Sequence, residues 1–221
     1  MILQAVVGPQ SAQSMGVGMP ANLRTGQLGD LVVTELHGKW YEQAYRGNLY
    51  SVGSNVVALS ANTVTLDATT TPIIGVWNPL TSTVNLVMSK AKMQIAVAGA
   101  SAVAPGGFVW ATSINNGAIT TGLTPLSRKT LAQAGSQAKG FNASVALTGL
   151  TNALVIQHAA GFGTLVAAQG ATPTPFISGD CVEEFDGGLI VPPGGVLALL
   201  NTIATTTISV AAMLMWEEIP V

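Results

Sequence analysis

Few residues in this chain are of a type that does chemistry. The one concentration of acids is the run Asp180-Cys181-Val182-Glu183-Glu184-Phe185-Asp186-Gly187. Carboxylate oxygens suit a hard cation such as calcium, but the run lacks the alternating acids around a central glycine that an EF-hand loop uses. A solvated loop, or an acidic patch meeting Arg or Lys on a neighbouring subunit, is the expected role of Asp180–Asp186, with cation binding the alternative. Cys181 lies among these carboxylates, which disfavour the thiolate that a nucleophilic cysteine needs, so an inert thiol is expected.

General acid–base catalysis relies on ionisable groups held together. Between Asp67 and Asp180 there is no Asp or Glu, and the only histidines are His37 and His158. A carboxylate pair would therefore have to be assembled from the two ends of the chain. His158 closes an apolar run that starts at Ala153 and reads as a structural, hydrogen-bonded histidine. Gly161-Phe162-Gly163 precedes Thr164-Leu165-Val166, a β-like stretch and not a helix start, so no dinucleotide site is expected. Trp40, Trp77, Trp110 and Trp216 would suit a sugar-binding platform if they shared an exposed groove; each sits among apolar residues, and core or interface packing is the expectation. No catalytic residue, cofactor-binding residue, metal ligand or cofactor is expected, and the chain does not read as an enzyme.

The elements that would position these residues are strands. Helical periodicity is nearly absent, Thr, Val and Gly dominate, and turn residues recur between short alternating runs, the pattern of a sandwich or barrel. Strands are expected at Asn55–Leu59, Thr63–Asp67, Ile73–Trp77, Val84–Val97, Gly107–Ile114, Phe141–Leu147, Ala153–His158, Gly188–Val191, Val196–Asn201 and Thr206–Glu217. Val84, Leu86 and Met88 alternate with Asn85, Val87 and Ser89, while Ile208, Val210, Ala212, Leu214 and Trp216 share one face of the last strand. Pro192-Pro193-Gly194-Gly195 is a strong turn, since proline presets φ and glycine supplies a positive one. Within the long connection Gly117–Gly140, Ser127–Ala134 is the expected short helix. Leu31–Ser51 reads as a strand followed by an irregular stretch or a short helix around Tyr41–Tyr45.

Gln4–Asp30 is punctuated by Gly8-Pro9, Gly16, Gly18, Pro20, Gly26 and Gly29 without a sustained period. The expected organisation is an extended N-terminal arm and anchor segment over residues 1–51, followed by a β body over residues 52–221, with simple disorder of Gln4–Asp30 the alternative to an arm. No internal repeat is present.

Composition narrows the function classes. The 221 residues are 48% hydrophobic but only 8% charged, against about 25% charged in ordinary soluble domains. Interface cores are depleted in charge, so self-association is expected. A net charge of −2 with scattered basic residues argues against a nucleic-acid partner. A lone cysteine forms no intramolecular disulfide. The apolar start, Met1–Gly8, is short for a signal peptide and has no basic residue before it. Val210–Trp216, the longest nearly apolar run, falls far short of the roughly 20 residues of a membrane helix. A soluble protein made in a cytoplasm, without a membrane partner, is expected.

The run TELHGKWYEQAYRGNLYS within Leu31–Ser51 resembles a stretch of the head or capsid decoration (cement) proteins of tailed bacteriophages. The end of the chain, GGLIVPPGGVLALLNTIATTTISVAAMLMWEEIP, is similar to the closing strands of their jelly-roll bodies. Together the two cover about a quarter of the sequence, and the middle is alike in composition alone. The resemblance implies a jelly-roll β-sandwich with an extended N-terminal arm, a homotrimer seated on the capsid surface of the virion, and the major capsid protein as partner. It carries no catalytic residue. A fibre or receptor-binding head of the virion, or a carbohydrate-binding β-sandwich module, is the alternative function.

Overall fold

In a computed structural model, residues 39–54, 57–59, 72–97, 107–119, 122–142, 154–161, 180–202 and 205–221 are described; at 57–59, 95–97, 154–161, 180 and 205–208 the description is of backbone alone. The arm expected over residues 1–30 and the strand expected at Thr63–Asp67 lie outside the described residues. The chain divides into two compact units, Met1–Tyr41 and Glu42–Val221, and both sheets belong to the second.

The all-β expectation holds. A short helix, α1 (Tyr41–Arg46), precedes β1 (Leu49–Gly53), β2 (Val57–Leu59), β3 (Ile74–Trp77), β4 (Val84–Val97), β5 (Gly107–Ser113) and β6 (Leu126–Ser127). Then come β7 (Lys139–Phe141), β8 (Leu154–Gly161), β9 (Asp180–Glu184), β10 (Ile190–Val191), β11 (Val196–Asn201) and β12 (Thr205–Pro220). A seven-stranded antiparallel sheet has the order β10-β4-β12-β1-β6, with β9 also on β4 and β2 also on β12. A five-stranded antiparallel sheet has the order β7-β3-β11-β5-β8. Residue 51, where the expected arm ends, lies inside β1.

Period-two alternation explains which face each strand buries. Val210, Ala212, Leu214 and Trp216 of β12 point inward together with Leu86 and Met88 of β4 and Val52 of β1. From the other sheet, Ile74, Val76, Phe108, Trp110, Leu197 and Leu199 join the same core. A second cluster, with Trp77, Val109, Ala111, Phe141, Val196, Ala198 and Leu200, occupies the opposite face of the five-stranded sheet. All six residues of β11, VLALLN, are consequently buried. Such an unbroken apolar run is what a strand covered on both faces requires.

The turn at Pro192–Gly195 carries the chain from the seven-stranded sheet (β10) to the five-stranded one (β11). The Gly195 amide donates to the Pro192 carbonyl at 2.8 Å, and Gly194 has φ +81°, the conformation that a side chain would oppose. Two buried asparagines staple this corner. Asn78 Nδ2 donates to the carbonyls of Val84 (2.8 Å) and Val191 (3.1 Å), and Asn116 Nδ2 donates to the Gly194 carbonyl at 3.1 Å. Backbone groups buried at a sheet corner need such partners, since an unmade hydrogen bond there costs about 1–3 kcal/mol.

Two expectations are corrected. Ser127–Ala134 is not a helix: it is the end of β6 followed by turns. Ser127 donates its amide to the Ala132 carbonyl, Leu131 takes φ +58°, and the Ser127 and Thr130 hydroxyls accept from the Thr130 and Ala132 amides. Such local side-chain bonds compete with helix formation. The acidic run is not a solvated loop either, because Asp180–Glu184 is strand β9, paired along β4.

Candidate functional site

Strand β9 runs antiparallel to β4, with Glu184 opposite Lys90, Val182 opposite Lys92 and Asp180 opposite Gln94. Its side chains divide between two faces. Val182 and Glu184 are exposed, and Glu184 Oε1 lies 3.3 Å from Lys90 Nζ. This pair is largely solvated, so its worth is small. Cys181, Glu183 and Phe185 alternate with them, and Cys181 and Phe185 pack against the core.

Glu183 accepts a hydrogen bond from the indole nitrogen of Trp110, a residue of the opposite sheet that is 1% exposed. Phe185 packs edge-on against the same indole, with ring centroids 5.5 Å apart. Burial first, and the Glu183 carboxylate second, push the Cys181 thiol above its ordinary range. That is the opposite of an activated cysteine.

A second inward carboxylate sits at the end of β12. Glu218 accepts from Ser136 Oγ at 2.5 Å, from the Gln137 amide at 3.2 Å and from Trp216 Nε1 at 3.4 Å. Gln137 in turn accepts from the Thr83 amide at 2.9 Å. Glu218 thereby ties the connection between β6 and β7 to the seven-stranded sheet. Beside it, burial and the Glu218 charge push the Tyr50 hydroxyl upward. Glu183 and Glu218 both act as acceptors that satisfy buried donors.

The remaining candidate residues are dispersed. His37 lies outside the described residues, and of His158 only the backbone is described, opposite Val109 in β8. Trp77, Trp110 and Trp216 are buried, while Trp40 lies beneath Lys39, with Nζ 5.1 Å from the ring centroid. Among the described residues no three His, Cys, Asp or Glu side chains are grouped to hold a metal, and no helix is long and apolar enough to cross a membrane.

Sequence reasoning missed a cleft of about 500 Å³ on the outer face of the seven-stranded sheet. Its floor is formed by Ala211 and Met213 of β12 and by Gly53 of β1. Lys92 and Gln94 of β4 stand on one side, and Arg128 and Gln133, after β6, on the other. The signal was present in the outward alternation of β12, where Ser209, Ala211 and Met213 are small or flexible. The opposite wall depends on turns that were expected to be helical.

No family model, curated protein or solved structure matches this chain.

Proposed function

We propose that this chain is a virion structural protein: a jelly-roll decoration protein that binds and stabilises a bacteriophage capsid shell as a homotrimer. The observation that carries the reading is the strand order. With β9 and β10 counted as one interrupted strand along β4, the seven-stranded sheet contains β9/β10-β4-β12-β1, and the five-stranded sheet contains β3-β11-β5-β8. The last strand thus lies between the first and the third of these eight, and, apart from β5 and β8, which pair within one sheet, successive members of the set lie in different sheets. That order supports a jelly roll, two nested Greek keys wrapped into two layers, an architecture shared by viral capsid and lectin domains.

The fold alone does not select between those uses. The low charge content favours a protein whose surface is covered by other copies or by a shell. Burial of Trp77, Trp110 and Trp216 weighs against an aromatic sugar platform. The resemblance of the Leu31–Ser51 region and of the closing strands to phage decoration proteins supplies the remaining direction. In this reading, weak contacts from several copies act together at high effective concentration to resist internal pressure.

The decisive experiment is electron imaging of purified particles produced with and without this protein. Density at regular positions on the outside of an otherwise complete shell is expected only when the protein is present, with a higher shell melting temperature. Shells that fail to assemble without it would assign a shell-forming role, and loss of density at a tail or fibre tip would assign a receptor-binding one.

A further inference from the structure

We infer that the cleft on the outer face of the seven-stranded sheet is a docking site for an extended acidic polypeptide segment of a partner protein. The inference goes beyond the shell-decoration reading and is tested on the isolated chain, so either can fail without the other.

Charge is the first argument. The chain as a whole carries −2, yet among the described residues the two ionisable side chains that line the cleft, Lys92 and Arg128, are both cationic and stand on opposite walls. Arg128 is exposed, and its guanidinium offers a planar fork suited to a carboxylate. Spacing is the second. From β4, which carries Lys92, to β6, which Arg128 follows, the sheet advances by three strands, roughly 14 Å at about 4.8 Å per strand. Lys92 aligns through Met213 with Gly53 whereas Arg128 aligns with Leu49, roughly 13 Å further along, so the diagonal is roughly 20 Å. Carboxylates six residues apart in an extended peptide are separated by a similar distance, about 20 Å, and lie on the same face of it.

Surface chemistry is the third. Ala211, Met213 and Gly53 give a shallow apolar floor, and Gln94, Thr124 and Gln133 offer amides and a hydroxyl for main-chain groups. Among the described residues the lining contains no aromatic side chain, which speaks for a peptide over a sugar or a nucleobase. The volume lies in the range of ordinary ligand sites. Gly53 keeps the floor open: a Cβ there would meet only the Ala212 carbonyl, at 3.8 Å.

The test is fluorescence anisotropy with the full chain and a labelled, end-capped nonapeptide of Ser and Ala carrying Glu at positions two and eight, against its Gln counterpart. The Glu peptide is expected to bind at least tenfold more tightly, with affinity falling as salt is raised. Arg128→Gln and Lys92→Gln should each weaken it at least threefold, and Gly53→Leu should abolish it with an unchanged circular dichroism spectrum. If Gly53→Leu does not fold, the exposed Arg128→Gln variant still decides the matter. Equal binding of the two peptides, no binding at millimolar concentration, or indifference to Arg128→Gln overturns the inference. Displacement by inorganic phosphate as effective as by the peptide shows a general anion site and overturns it too. So does an Arg128-dependent rise in mass with protein concentration in the absence of peptide binding, which would assign the cleft to a second copy.

Discussion

The indole of Trp110, in the five-stranded sheet, donates its hydrogen bond across the core to Glu183, on an edge strand of the other sheet. A carboxylate acceptor thus adds a directional bond to the apolar packing between the two layers, as the Asn78 side chain does at the corner of the sheets. Glu183→Ala is expected to cost about 1–3 kcal/mol, because the buried indole N–H loses its partner. Glu183→Gln keeps an acceptor oxygen and should cost clearly less. Chemical denaturation of the two variants checks the order, and equal losses would mean that the bond is not what the carboxylate supplies.

The same carboxylate raises the Cys181 thiol, after burial, which is the larger cause. Alkylation of the native protein should therefore show a rate–pH midpoint above the roughly 8.5 of an unperturbed thiol. Glu183→Gln removes the smaller cause and should move the midpoint partway down. A native midpoint at or below the unfolded one would contradict the packing of Cys181 against the core.

Gly75 lies opposite Phe141 in the β3–β7 pair, and the ring covers the position a side chain would fill. A Cβ at residue 75 would fall 2.9 Å from the backbone oxygen of Leu197, and closer still to the Phe141 ring. Gly75→Ala is expected to destabilise by about 1–3 kcal/mol through overpacking. Combining it with Phe141→Leu should cost less than the sum of the single changes, since the ring is part of the clash. Strict additivity in thermal denaturation would sink this account.

Glu217 lies on the opposite face of β12 from Glu218, and its carboxyl is raised by burial, with Arg46 acting in the opposite sense. A carboxyl raised in the folded state binds a proton more readily there than in the unfolded chain. Its favourable contribution is complete below the unfolded value of about 4.3 and is lost as pH rises through the folded value. Glu217→Gln should therefore stabilise the protein at pH 7, with the gain over the parent shrinking as pH falls below 4. Urea titrations at the two pH values measure it, and a variant less stable than the parent at pH 7 would reverse the sign.

Much of this architecture was legible in the sequence, and the failures have physical causes. The bounds of β4 and β11 and the corner at Pro192–Gly195 follow from alternation, an unbroken apolar run and turn chemistry. The alternation of β4 breaks, however, where a bulge at Ser89 lets Met215 face Lys90 and Trp216 face Met88. Met88 and Ala91 then share the core face although they are three residues apart. Nothing in Ser89 announces this; the geometry is set by the crossing of Phe185 and Asp186, whose amides both donate to its carbonyl. Strand β9 was hidden by its charges. Its inward members, Cys181, Glu183 and Phe185, alternate as a strand should, but a carboxylate in that series reads as a loop until Trp110 is seen to meet it. Of the cleft only the floor left a trace, in the small outward residues of β12, since its two cations come from strands and turns distant in sequence.

The central position of β12 also dictates when this body can come into being. β12 is hydrogen-bonded to β1, β2 and β4, all of which precede it by long stretches of chain. On the ribosome, β1 and β4 emerge early and wait beside a gap that only residues 205–220 can fill. Until then the layer that must pack on Ile74, Val76, Phe108 and Trp110 is incomplete, and the unpaired strand borders are open to other nascent chains. Closure joins partners at large sequence separation, which makes the final step slow. Translation past residue 220, and not the folding of any early hairpin, sets the moment at which the protein becomes safe from aggregation.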